Sequence, residues 1–196
     1  MTSLQGFTRE RPFERIAERG VCAGLVGSAV LGLYAMVASG TYQGRGFFTP
    51  MYHAAFVVDP HTMVTSIGQA GAGERFFFVQ ESFLLGMIIY VLVGGTLGAL
   101  FGVVGRILHL HGMRALAGGV AYGLAVLVLM SLLVLPRVAA MSGAGNPIAH
   151  MGDEVGWPTF VSYFVVFGLV LGAWLYLRPQ DIGEARRSSS RRRAAS

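Results

Sequence analysis

The chain contains no lysine. All fifteen of its basic residues are arginine, which we read as a coding bias rather than as chemistry. It has one cysteine, Cys22, so neither an internal disulfide nor a cysteine-built zinc cage is open to it. We read that lone thiol as a small packing residue. Charge of either sign is scarce: 13% of the 196 residues are charged, against about 25% in an ordinary soluble domain. There is no G-x-S-x-G, no H-E-x-x-H, no phosphate loop and no dinucleotide fingerprint. Those absences remove the usual signatures of serine hydrolases, zinc peptidases and nucleotide-dependent enzymes.

What is abundant is apolar text, 54% of the chain. Residues 20–44, 82–105, 115–136 and 155–177 hold no Asp, Glu, Lys or Arg. A helix needs roughly 20 apolar residues to cross a bilayer, whereas barrel strands are about 10 residues long and alternate. The expected fold class is therefore an all-α membrane protein, a four-transmembrane-helix bundle. Its spans are predicted at about 21–39, 83–105, 115–135 and 158–177, with Pro136 stopping the third. A segment 1–20 precedes them, outer loops occupy 40–82 and 136–157, and a disordered basic tail, 178–196, follows. The first span is read as retained. Glu10, Glu14 and Glu18 precede it, and its apolar run exceeds the ~7–15 residues of a signal core.

Arginine placement sets the orientation. Arg9, Arg11, Arg15 and Arg19 precede span one, Arg106 and Arg114 lie between spans two and three, and Arg178, Arg186, Arg187, Arg191, Arg192 and Arg193 follow span four. These twelve oppose only Arg45, Arg75 and Arg137. The expected localisation is the cell membrane, multi-pass, with cytoplasmic N- and C-termini. Residues 10–19 are predicted to extend helix one, with Arg11/Glu14 and Arg15/Glu18 at i,i+3.

The 40–82 loop is too apolar for a linker, and loops of that length tend to be functional. Thr49 and Pro50 predict a short helix near 51–57, with Thr49 as N-cap and Pro50 at N1. It is expected to lie on the membrane or dip into the bundle. Gly68 to Gly73 is read as a flexible turn.

Two stretches resemble each other. Tyr90–Phe101 (YVLVGGTLGALF) and Phe164–Leu175 (FVVFGLVLGAWL) share five of twelve positions: Val91/Val165, Gly94/Gly168, Leu97/Leu171, Gly98/Gly172 and Ala99/Ala173. Pro50-x-x-His53 and Pro147-x-x-His150 precede them in matching places. The pattern predicts two parallel hairpin repeats about an axis along the membrane normal. In these features the chain resembles uncharacterised prokaryotic four-helix integral membrane proteins with a duplicated helical hairpin. That resemblance implies a fold and a prokaryotic membrane, and no activity.

Small residues four apart let membrane helices approach closely. They occur as Gly20/Gly24/Ser28/Gly32, Gly94/Gly98/Gly102, Ala115/Gly119/Gly123 and Gly168/Gly172, all toward the cytoplasmic half. The expectation is a bundle pinched there and splayed outward under the long loop.

Apart from Cys22, the only ionisable side chains within the spans are Tyr34, Tyr90, Tyr122 and Tyr163. The lack of a buried carboxylate or arginine speaks against a proton-coupled pump or voltage sensor. His53 and His150, equivalent in the repeat, are the candidate metal ligands. Asp59 and His61 are weaker ones, because Asp59, Pro60 and His61 also spell a turn. Imidazole and carboxylate suit a transition metal, and paired histidines suit haem. His109-Leu110-His111, flanked by Arg106 and Arg114, suits lipid headgroups better than zinc. The arginine tail suits anionic lipid, and no nucleic-acid partner is expected.

Three functions remain open. One is a non-enzymatic accessory or structural component of a membrane complex, with a membrane-protein partner or as a homo-oligomer. The second is a haem- or metal-binding redox protein, and the third a small oligomeric transporter or channel for a neutral solute. No catalytic residues emerge.

Overall fold

The computed structural model describes residues 12–142 and 150–177, and among them every regular element is helical. α1 (Pro12–Gly40) runs unbroken into the first span. Two short helices, α2 (Thr49–Ala55) and α3 (Pro60–Gly71), occupy the long loop. α4 (Gln80–Ile107) turns through Gly112 into α5 (Met113–Leu129). α5 continues through a π-helical turn, Met130–Val134, into α6 (Leu135–Ser142). The short α7 (Met151–Val155) leads to α8 (Trp157–Leu177). Four stretches are long and apolar enough to cross a membrane: Ala17–Gly40, Gln80–Ile107, Met113–Ala140 and Trp157–Leu177. The protein is an all-α membrane protein with four spanning helices. Arg9, Arg11, Pro147 and the arginine tail from Arg178 lie outside the described residues.

The helices pair as antiparallel hairpins, and glycine sets their approach. A Cβ on Gly98 would stand 2.3 Å from the Gly20 carbonyl oxygen, and one on Gly24 would stand 2.0 Å from that of Gly94. In the second hairpin, a Cβ on Gly172 would meet the Ala115 oxygen at 2.6 Å, and one on Gly168 the Gly119 oxygen at 2.2 Å. The ladders therefore close within each hairpin. α1 also packs along α8: Phe167 fills the space beside Gly27, and Tyr34 Oη lies 2.8 Å from Ser162 Oγ. α4 and α5 meet mainly near the end that carries both termini. There Tyr122 donates to the Leu97 carbonyl at 2.8 Å and stacks on Phe101 at 5.1 Å.

The buried side chains form two cores. One, toward the terminal end, gathers Ala23, Phe101, Phe167 and Leu171. The other, at the loop end, gathers Tyr52, Phe56, Met63 and Ala139. α2 is wedged into the bundle rather than laid on it. A Cβ on Gly86 of α4 would come within 2.0 Å of the Met51 carbonyl oxygen. Tyr52 is fully buried, accepts from the Val79 N–H at 2.8 Å and donates to the Phe77 carbonyl at 3.2 Å. It thereby fixes the strap that leads into α4.

Four local expectations are corrected. Phe48, already in helical conformation, is the N-cap residue of α2, and no side chain caps it. Thr49 sits inside the first turn, where its buried hydroxyl meets Ser66 Oγ at 2.9 Å. Of the stretch Gly68 to Gly73 only Ala72 and Gly73 form a turn; Gly68 to Gly71 end α3, a helix begun by Asp59, whose carboxylate accepts from the Thr62 N–H. Pro136 does not stop the third span. The π turn just before it adds a residue, and the Leu135 N–H reaches back five residues to Met130. That widening makes room for a proline ring that would clash in regular α spacing. Cys22 is exposed on the outer face of α1 rather than packed.

Candidate functional site

Between the two cores, beneath α2, the helices leave a chamber of about 270 Å³. Its floor is Gly94, Leu97 and Phe167, its walls are Ile89 and Val93 of α4 and Met130 of the π turn, and Pro50, His53 and Ala54 of α2 cover it. The chamber exists because α4 and α5 touch near the terminal end and then part. The π turn carries Leu135 and Val138 round to form its far wall. It is not sealed: Val57 and Val93 line it and are 57% and 43% exposed.

A smaller cavity of about 130 Å³ adjoins it at the loop end, sharing Leu31, Pro50, His53, Tyr90, Met151 and Phe164. This vestibule is also mostly apolar, but it adds polar side chains at one end, being lined also by Ser39, Gln43, Arg45 and Tyr163. Gln43 donates to the Val155 carbonyl and to Tyr163 Oη, each at 3.2 Å. Arg45 Nη2 donates to the Glu154 carboxylate at 2.8 Å and to the Glu154 carbonyl. Its Nη1 is enclosed with no hydrogen-bond partner among the described residues.

His53 lines both cavities. Its Nδ1 lies 2.9 Å from the Thr49 carbonyl, an atom that can only accept, so Nδ1 carries the proton and Nε2 is bare. Burial pushes its pKa down to about 4, so the ring is neutral near pH 7. His150 lies at the surface, its side chain 64% exposed and its Nδ1 3.8 Å from Asp153 Oδ2. It lines neither cavity. His61 is exposed on α3. The Asp59 carboxylate is taken up by the Ser82 hydroxyl, by Thr62 Oγ1 at 2.5 Å and by the Thr62 N–H. These hydrogen bonds, that of Ser82 foremost, hold its pKa below the usual carboxylate range. Among the described residues no three of His, Cys, Asp and Glu gather as a metal site. His109 and His111 lie exposed on the α4–α5 turn.

The sequence singled out His53 but neither the chamber nor Arg45, Gln43 and Tyr163. Arg45 is the first charge after a 25-residue uncharged run, residues 20–44, and that position was the one signal available. No family model, curated protein or solved structure matches the chain. Its function therefore has to be argued from this geometry.

Proposed function

We propose that the protein is a non-enzymatic accessory component of the cell membrane that holds an apolar molecule drawn from the bilayer in the chamber beneath α2. The observation that carries this reading is the chamber itself. It is almost wholly apolar, close in volume to the smaller ligand pockets of about 300 Å³, and open on a helical face that meets lipid. Among the described residues no nucleophile lies beside a base in it. The Ser28 hydroxyl is turned to the Gly24 and Tyr90 carbonyls, and the His53 proton is held by Thr49. His150, outside both cavities, does not supply His53 with the second ligand a haem would need. A transport role would use the same chamber and would be separated from binding by solute flux in liposomes.

The same proposal includes a duplicated hairpin of the prokaryotic four-helix kind. The contacts Gly20–Gly98 and Gly24–Gly94 in one half correspond to Ala115–Gly172 and Gly119–Gly168 in the other, and they support it. The chamber then occupies the α4–α5 side, where a strict two-fold would repeat the tight α1–α8 seam. The arginine distribution supports cytoplasmic termini. In a Cys22→Ala background, Glu74→Cys should then react with a membrane-impermeant maleimide on intact cells.

The central test is extraction of the full chain into polymer-bounded native discs, followed by native mass spectrometry. A co-purifying apolar molecule is expected in the wild type. Ile89→Trp, which fills the chamber, should lack it. Identical contents in the two proteins would sink the reading.

A further inference from the structure

The chamber and the vestibule adjoin through shared lining residues, and the vestibule adds Gln43, Arg45 and Tyr163 at its end of the pair. The apolar part lies deep among the spans, and the polar part lies at the loop end, where helices meet the membrane surface. A bilayer amphiphile has the same gradient: tail toward the midplane, head at the interface. At about 270 Å³ the chamber has room for one hydrocarbon chain.

Arg45 and Glu154 both act on His53, but only Arg45 lines the vestibule. Among the described residues Arg45 is the only charged side chain that lines the vestibule, His53 being neutral. Glu154 is not part of the lining and is 42% exposed, whereas Arg45 is 16% exposed. Glu154 occupies Nη2 and leaves Nη1 without a partner among the described residues. A buried guanidinium nitrogen without an acceptor is unfavourable, and an anionic oxygen is its best partner. Tyr163 accepts from Gln43 through its oxygen, so its own proton remains to be donated to the same guest.

We propose that the joined cavities bind a long-chain carboxylate, its tail in the chamber and its carboxylate on Arg45 Nη1 with Tyr163 as second donor. This rests on the chamber being a binding site and adds the class of ligand. A lipid carboxylate in the surrounding leaflet already has its head at the depth of the vestibule. It can slide in sideways past Val93 without leaving the membrane.

The test uses the full chain in phosphatidylcholine nanodiscs and a palmitate analogue carrying a diazirine in its chain. Photolabelling is competed with palmitate and with hexadecanol, which has the same tail and no charge. Palmitate should compete at least tenfold better, with label on residues near Val93 and Met130. Arg45→Gln should erase that preference while leaving competition by hexadecanol unchanged. Glu154→Gln, which keeps the arginine, should retain or enlarge it and controls for disturbance of the ion pair. Equal competition by acid and alcohol in the wild type, or a preference that survives Arg45→Gln, overturns the carboxylate inference and leaves the chamber reading standing. Absence of chamber labelling that either compound competes removes both.

Discussion

Arg45 Nη2 lies 2.8 Å from Glu154 Oε2, although 109 residues separate the two in the chain. The pair joins the loop after α1 to α7, just ahead of α8, and so ties the first hairpin to the second at the loop end. Its two ends are unlike. Loss of the Glu154 carboxylate leaves the bond from Arg45 to the Glu154 carbonyl in place. Glu154→Gln should therefore cost only about 0.2–1 kcal/mol, the range of solvent-screened ion pairs. Arg45→Gln should cost more, because it removes both bonds. Thermal unfolding in detergent, followed by helical circular dichroism, checks the order.

Helical glycines should differ sharply in tolerance. At Gly98 an added Cβ would stand 2.5 Å from the Gly24 Cα, so Gly98→Ala should destabilise by about 1–3 kcal/mol, as overpacked positions do. Nothing lies within 4 Å of the Cβ position of Gly68, a helical residue of α3. Gly68→Ala should stabilise by about 0.5–1 kcal/mol. Midpoints of denaturation for the two variants decide it.

Asp59 both caps α3 and, through Ser82, fastens α3 to the first turn of α4. Asp59→Ala should cost about 0.5–2 kcal/mol for the cap alone. The wild type has a carboxylate pKa lowered by folding. Its contribution is fully present above the unfolded pKa of about 3.9 and is lost as pH falls through the lower folded value. Wild type and variant should therefore converge in melting temperature in strong acid and diverge above pH 4.

His53 should titrate near 4 in the folded protein, as read from its imidazole carbon shifts by NMR. Folding lowers that pKa from its usual 6.5, so the unfolded chain takes the proton first. Stability should decline as pH falls from 6.5 toward 4, and His53→Gln should remove that part of the slope. A ring that titrates near 6.5 would mean that the site under α2 is open to water.

Much of the fold was legible because lipid imposes a coarse rule. Four uncharged stretches had to be helices, and small residues four apart had to mark close approaches, as Gly24, Gly98, Gly119 and Gly172 do. The short helix at Pro50 was legible through proline's preference for the first turn, but its wedging into the bundle was one of two placements left open. Detail failed wherever a remote contact outweighed a local preference. Thr49 reads as a cap, but its hydroxyl is claimed by Ser66, seventeen residues on. Pro136 reads as a stop, but the turn before it absorbs the ring. The candidate site was legible in one residue, His53. The vestibule depends on Gln43 and Arg45 meeting Val155, Glu154 and Tyr163, and no pattern local to either stretch encodes that meeting.

The π turn at Met130–Val134 makes the chamber's far wall a matter of counting. Each residue of a helix advances its face by about 100°, from 3.6 residues per turn. Delete any one residue within the turn and regular spacing returns. Everything from Leu135 to Ser142 then swings through that angle, carrying Leu135 and Val138 off the cavity and Ala139 out of the loop-end core. A sequence could keep every lining side chain and still lose the room they enclose. Its width is set by a single surplus residue, much as the bore of a coil is set by its winding.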